Sequence, residues 1–107
     1  MNGRQHMESS IEIIRQAIHE RKMLEFRYHS LPRIVEPMRL ERVKRGSWQL
    51  RAHQISGKSS SGRVADGTPK LFAVADMADI SILPISFEVP VFYERGDPTL
   101  IHIDTEL

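Results

Sequence analysis

The spacing of apolar residues changes character once along this chain, from helical to alternating. Ile11, Ile14, Ala17 and Ile18 recur at three- and four-residue intervals while Glu12, Arg15, Gln16 and Glu20 point elsewhere, which predicts a short amphipathic helix. Ser9-Ser10-Ile11-Glu12 offers a capping box at its start, and Arg21-Lys22 suit its negative end. The helix is therefore expected to begin at Ser9, behind a disordered lead over residues 1–8. From Met23 to His29 the period drops to two, with Leu24, Phe26 and Tyr28 on one side and Glu25, Arg27 and His29 on the other, the signature of a half-buried strand. A turn at Ser30-Leu31-Pro32 leads to a longer strand over Arg33–Val43. Within it Pro37 has no N–H for a ladder bond, so it needs an edge or a bulge.

Lys44-Arg45-Gly46-Ser47 reads as a hairpin turn, and Trp48 to Ile55 alternates again. Trp48, Leu50 and Ala52 are expected to face inward and Gln49, Arg51 and His53 to share the opposite face. Residues 56–69, rich in Ser and Gly, predict a surface loop. Leu71–Val74 resumes strand character, Asp76–Asp79 predicts a turn or one helical turn, and Ile80–Ile85 predicts a closing strand. About five strands thus follow one helix. Pro84, Pro90 and Pro98 confine the remainder, including Val91-Phe92-Tyr93 and Leu100–Ile103, to short strands or a packed tail. The 107 residues suit one domain, here expected over 9–85, with 86–107 as a C-terminal extension packing on it.

Charge adds a feature that the pattern hides. The net charge is +1, yet residues 21–70 hold 12 Lys and Arg against 4 Asp and Glu. Residues 71–107 hold one basic side chain, Arg95, against seven acidic ones. A basic centre attracts anions such as nucleic acid or nucleotides, although a charged surface also serves solubility. The absence of cysteine excludes disulfides and thiolate chemistry. No apolar run is long enough to span a bilayer, and the polar start lacks the apolar stretch of a signal peptide. These features predict a cytoplasmic protein with no membrane partner.

Catalytic signals are missing. Gly57-Lys58-Ser59 resembles the end of a phosphate-binding loop, but the first glycine of that motif would fall at Ala52, inside a strand. His6, His19, His29, His53 and His102 show no metal-ligand spacing. Ser59, Ser60 and Ser61 have no strained turn around them and no evident His and Asp partners. The chain is expected to be no enzyme and to need no cofactor.

The order of helix, Leu24-Glu25-Phe26-Arg27-Tyr28, Arg33-Ile34-Val35-Glu36-Pro37 and Gly46-Ser47-Trp48-Gln49-Leu50-Arg51-Ala52 resembles the WYL domain family, over roughly residues 11–83. The family's Trp-Tyr-Leu triplet reads Trp48-Gln49-Leu50 here, matching the inward residues and departing at the outward one. The expected fold is mainly β: an N-terminal helix followed by a small five-stranded, SH3-like or Sm-like β-barrel. The resemblance also implies a later strand with arginines in a pattern like Arg-x-Phe-Arg-x-x-Arg-Ile, lining a positively charged ligand site. At that place stands Lys70-Leu71-Phe72-Ala73-Val74-Ala75-Asp76-Met77, in which Lys70 keeps a charge while Ala73 and Asp76 replace arginines. WYL domains usually follow a helix-turn-helix DNA reader and are taken to sense nucleic acid or nucleotides. Here the 22 residues before the first strand supply one helix, fewer than such a reader needs, so the module is expected to act alone, in trans or as a fragment.

Arg27, Gln49, Arg51, His53 and Lys70 are the candidate ligand-binding residues, a shared polar patch if each faces away from its apolar neighbours. The alternative is an ordinary solvated face. Tyr28 and Trp48 could stack on bases, but their alternation with Leu24, Phe26 and Leu50 assigns them to the core. Glu36 is expected to tie to Arg39 or Arg51. The leading functional expectation is a sensory or accessory regulatory module that binds single-stranded nucleic acid or a nucleotide on a basic barrel face. The rival is a protein-interaction or homo-oligomerisation module using edge strands and the apolar segment Val89–Tyr93.

Overall fold

The apolar stripe of the N-terminal segment extends further upstream than its serine cap suggested. The computed structural model describes residues 3–43, 46–57, 69–90 and 101–107, and α1 runs over Gly3–Glu20. Met7 lies four residues before Ile11 and packs against the core, so it adds a turn to the stripe of Ile11, Ile14 and Ile18. Ser10 is buried inside the helix rather than capping its end. This corrects the disordered lead from Gly3 onward. The helix stops where Arg21 turns left-handed, at φ 55°, with its N–H donating to the Ile18 carbonyl at 3.2 Å.

Among the described residues six strands follow: β1 (Lys22–Tyr28), β2 (Leu31–Val43), β3 (Trp48–Gly57), β4 (Pro69–Ala73), β5 (Met77–Ser86) and β6 (Ile101–Glu106), with a 3-10 turn over Val74–Asp76 between β4 and β5. The sheet order is β4-β3-β2-β1-β5, and β6 pairs with β2. Every pairing is antiparallel. The β1–β2 hairpin turns on His29 and Ser30, both left-handed at φ 52° and 66°, the geometry of a two-residue type I′ turn. The turn therefore precedes Leu31 and Pro32, which join β2.

β2 is the organising strand. Leu31–Val35 pairs with β1 and Arg39–Val43 pairs with β6, while β3 occupies the other edge along most of its length. Pro37 falls in the gap between the β1 and β6 pairings. A bulge accompanies it: Pro37 stands opposite Ala52 and Arg39 opposite Arg51, leaving Met38 as the extra residue. That extra residue shifts the alternation by one. Val35 and Pro37 lie on the inner side before it and Leu40 after it, so Glu36, Arg39 and Glu41 all reach the outer face.

The sheet curls strongly. β4 and β1 are three positions apart, about 14 Å in a flat sheet, yet the Phe72 and Phe26 rings are 5.1 Å apart. The Tyr28 hydroxyl accepts the Ala73 N–H at 2.9 Å, a side-chain pin where a barrel would have a backbone ladder. Among the described residues the fold is mainly β, with one N-terminal helix and a six-stranded sheet that is not closed into the expected barrel. The inner face carries Leu24, Phe26, Val35, Leu50, Ala52 and Phe72, against which Ile11, Ile14, Ala17 and Ile18 of α1 pack. Each isoleucine so buried contributes about 1.5–3 kcal/mol. Residues 58–68 of the serine-glycine segment and Val91–Tyr93 of the tail lie outside the described residues.

Candidate functional site

Residues directly opposite in an antiparallel pair share a face, and this sorts the candidate side chains. Gln49 stands opposite Glu41, Arg51 opposite Arg39, and His53 opposite Glu36. These six therefore line the outer face of β2 and β3. Gln49, Arg51 and His53 are half-buried, whereas Arg39 is 4% exposed and Glu41 is fully buried. Arg51 Nε donates to Glu41 Oε1 at 3.2 Å. Glu41 Oε2 is 3.9 Å from Arg39 Nε, and Arg39 Nη1 is 4.0 Å from Glu106 of β6. His53 Nδ1 lies 3.1 Å from Glu36 Oε1; a carboxylate has no proton to give, so the imidazole is the donor. Glu36 thus pairs with His53 rather than with Arg39 or Arg51, and Glu41 is the carboxylate that serves both arginines.

Lys70 and Arg27 do not join this group. Lys70 is opposite Ala52 and Phe72 opposite Leu50, which places the half-buried lysine on the inner side. Its neighbours on both sides are apolar, and it is Leu71, 49% exposed, that points outward. Arg27 is exposed, donates to the Ser30 carbonyl at 3.0 Å, and sits opposite Pro32. Seven β2 positions separate that row from the Arg51 row, about 20 Å along the strand. Glu25 and Asp79 line the same shallow groove as Arg27. One shared patch of five residues is corrected to a group of three plus two separate cations.

The inner face holds a charged residue that sequence reasoning did not single out. Arg33 is opposite Phe26 and 3% exposed. Its Nη1 donates to Gln54 Oε1 and its Nη2 to the Tyr28 carbonyl, both at 3.3 Å. The guanidinium carbon lies 5.5 Å from the Tyr28 ring centroid and 5.9 Å from that of Phe72. Burial holds its pKa below the ordinary arginine value. Parity was the available signal, because Arg33 is two residues from the inward Val35.

Trp48 was expected in the core, but it is half-buried at the edge. The guanidiniums of Arg42 and Arg15 lie 5.3 and 5.9 Å from its ring, so the indole fills the space between α1 and β2. Arg15 also grips Asp104 of β6 with two bonds, Nε to Oδ1 at 2.8 Å and Nη2 to Oδ2 at 2.9 Å, and pairs with Glu12. The guanidinium holds the Asp104 carboxyl below its usual pKa, against partial burial, which pushes it up. Among the described residues, no group of three or more His, Asp or Glu stands close enough to hold a metal ion, and no helix is long and apolar enough to cross a membrane.

Comparison with known proteins places this arrangement in a family. The chain resembles Proteasome accessory factor B/C (PafBC) of Arthrobacter aurescens, with a TM-score of 0.61 and 22% sequence identity over 80% of this chain and 13% of that one. The likeness concerns the fold, and the chain spans about an eighth of that protein's length. No curated protein matches. The family model of the WYL domain matches residues 9–82, from α1 into β5, and leaves β6 outside. The chain belongs to the WYL domain family.

Proposed function

We propose that the chain is a regulatory ligand-sensing module that takes an anionic ligand, single-stranded nucleic acid or a nucleotide, on the outer face of β3, with Gln49, Arg51 and His53 as contacts. The observation that carries this reading is the sharing of Glu41 between two guanidiniums, at 3.2 and 3.9 Å. One carboxylate thus serves two guanidiniums; Glu106, outside the family-matched residues, is a further partner of Arg39, while Glu36 is taken by His53. Arg51 commits its Nε to Glu41, which leaves the Nη pair for a phosphate. Arg27, some 20 Å away by strand geometry, could serve a further phosphate of an oligonucleotide but not of a mononucleotide. Lys70 approaches only from the β4 edge.

A charge-assisted bond of this kind is worth about 1.5–3 kcal/mol, or roughly 10- to 100-fold in affinity. Arg51→Ala should weaken binding of a fluorescent single-stranded oligonucleotide by that factor while the circular dichroism spectrum is kept. An unchanged affinity would overturn the assignment.

One observation favours an interaction module instead: Leu71, half-exposed on the edge strand β4, lies directly opposite Arg51. On that reading, light scattering detects a dimer that Leu71→Glu dissociates, and Arg51→Ala has no effect.

A further inference from the structure

Five N–H groups project from a guanidinium, and each needs an acceptor when water is excluded. Arg33 finds one in Gln54 Oε1 and one in the Tyr28 carbonyl. Its Nε finds none, and neither does Gln54 Nε2, although Arg33 is 3% and Gln54 1% exposed. The two unfilled donors belong to side chains joined by a 3.3 Å hydrogen bond. Reversing the Gln54 amide would turn its NH2 group onto Arg33 Nη1, donor against donor, so the present orientation is the favourable one.

No carboxylate pairs with Arg33 among the described residues; what surrounds it is two aromatic rings, an amide and a backbone carbonyl. A buried cation held this way is costly, and replacing such a group by an apolar one of similar size is often neutral or stabilising. A water molecule could satisfy the two donors yet would leave the charge uncompensated. An oxyanion does both.

Position favours the same occupant. Arg33 stands next to the β1–β2 hairpin, whose residues His29 and Ser30 are exposed, and it lies beside the half-buried Tyr28. It is thus one layer beneath the surface, at the hairpin end of the curled sheet. We propose that Arg33 and Gln54 form an interior oxyanion site, on the opposite side of the sheet from Arg51, that takes a phosphate group, free or carried on a nucleotide. Arg33 Nε and a neighbouring Nη supply a bidentate edge, and Gln54 Nε2 supplies a third donor to the remaining oxygens.

The thermal midpoint of the full chain, measured with increasing inorganic phosphate and, separately, thymidine 5′-monophosphate at constant ionic strength, tests this. The wild type should show a saturable rise. In an Arg51→Ala protein, which lacks the outer-face contact, the rise should persist; adding Arg33→Met should raise the melting point without anion and abolish the rise with both probes. A larger rise with the nucleotide than with phosphate would identify the phosphate as nucleotide-borne; equal rises would identify free phosphate. An Arg51→Ala, Arg33→Met protein that keeps the rise, or an Arg51→Ala protein that shows none with either probe, would overturn the site. Should Arg33→Met fail to fold, the Arg33 Nε–Hε resonance of isotopically labelled wild type decides the matter: phosphate must shift it, and an unmoved resonance contradicts the proposal.

Discussion

At Glu41 a carboxylate with no solvent exposure faces two guanidiniums, one of them, Arg39, nearly as deeply buried. Removing its charge leaves Arg39 in the interior with weaker compensation, and breaking a buried pair from one side costs about 3–5 kcal/mol. Glu41→Gln should therefore lower the unfolding free energy by about that amount in urea titrations, whereas Glu36→Gln, whose pair with His53 is partly solvated, should cost less than about 1 kcal/mol. Equal costs would remove Glu41 from the centre of the outer face. This residue was invisible to simple alternation: counted from Glu36, Glu41 has the wrong parity, and only the bulge at Met38 brings both to one face. Arg33 was overlooked for a different reason. A charged residue at an inward position is legible as parity, but the candidate search looked for outward cations.

At the scale of elements, alternation predicted β1 and β3 closely because each packs one apolar face, Leu24 and Phe26 in one, Leu50 and Ala52 in the other. It also placed the irregularity at Pro37. It failed where tertiary contacts decide: the start of α1, set by Met7, and the pairing of β6, set by the free edge that β2 offers beyond the Pro37 gap. Tyr28→Phe removes the acceptor of the Ala73 N–H and should cost about 0.5–1.5 kcal/mol, with faster hydrogen exchange at the Ala73 amide; unchanged exchange there would mean that the pin does not hold β4 to β1.

β6 makes its own prediction. Asp104 has a lowered folded pKa, so its stabilising effect is present above the unfolded carboxyl pKa of about 3.9 and is lost as pH falls through the folded value. Arg15 is 38% exposed in its side chain, so screening limits the effect to roughly 1 kcal/mol or less. Asp104→Asn should be less stable than wild type at pH 7, and the gap should close under acid. The Leu107 amide, which donates to the Met38 carbonyl, should exchange faster in the variant at neutral pH.

For the whole molecule, the charge distribution along the sequence did not translate into one basic face. The arginines of residues 21–70 divide between the two sides of a curled sheet, and several meet carboxylates: Arg51 meets Glu41, Arg39 meets Glu41 and Glu106, and Arg15 from the helix meets Asp104. Two of those carboxylates come from β6, beyond the family match. Composition cannot reveal such pairing, since it depends on register. The family resemblance was legible because its motifs sit on strands whose inward residues are fixed by packing; the site was less so because Gln49, Ala73 and Asp76 depart from the pattern that marks it.

The claim that this chain senses an anion is tested most directly by fluorescence anisotropy of the wild-type protein with a labelled single-stranded oligonucleotide and a labelled nucleotide across a salt series. Saturable binding to at least one is predicted. For the oligonucleotide, affinity should fall with salt at a logarithmic slope of about −0.7 per phosphate contacted. Binding to neither probe at low salt, or binding to the oligonucleotide that salt leaves unchanged, would contradict the account.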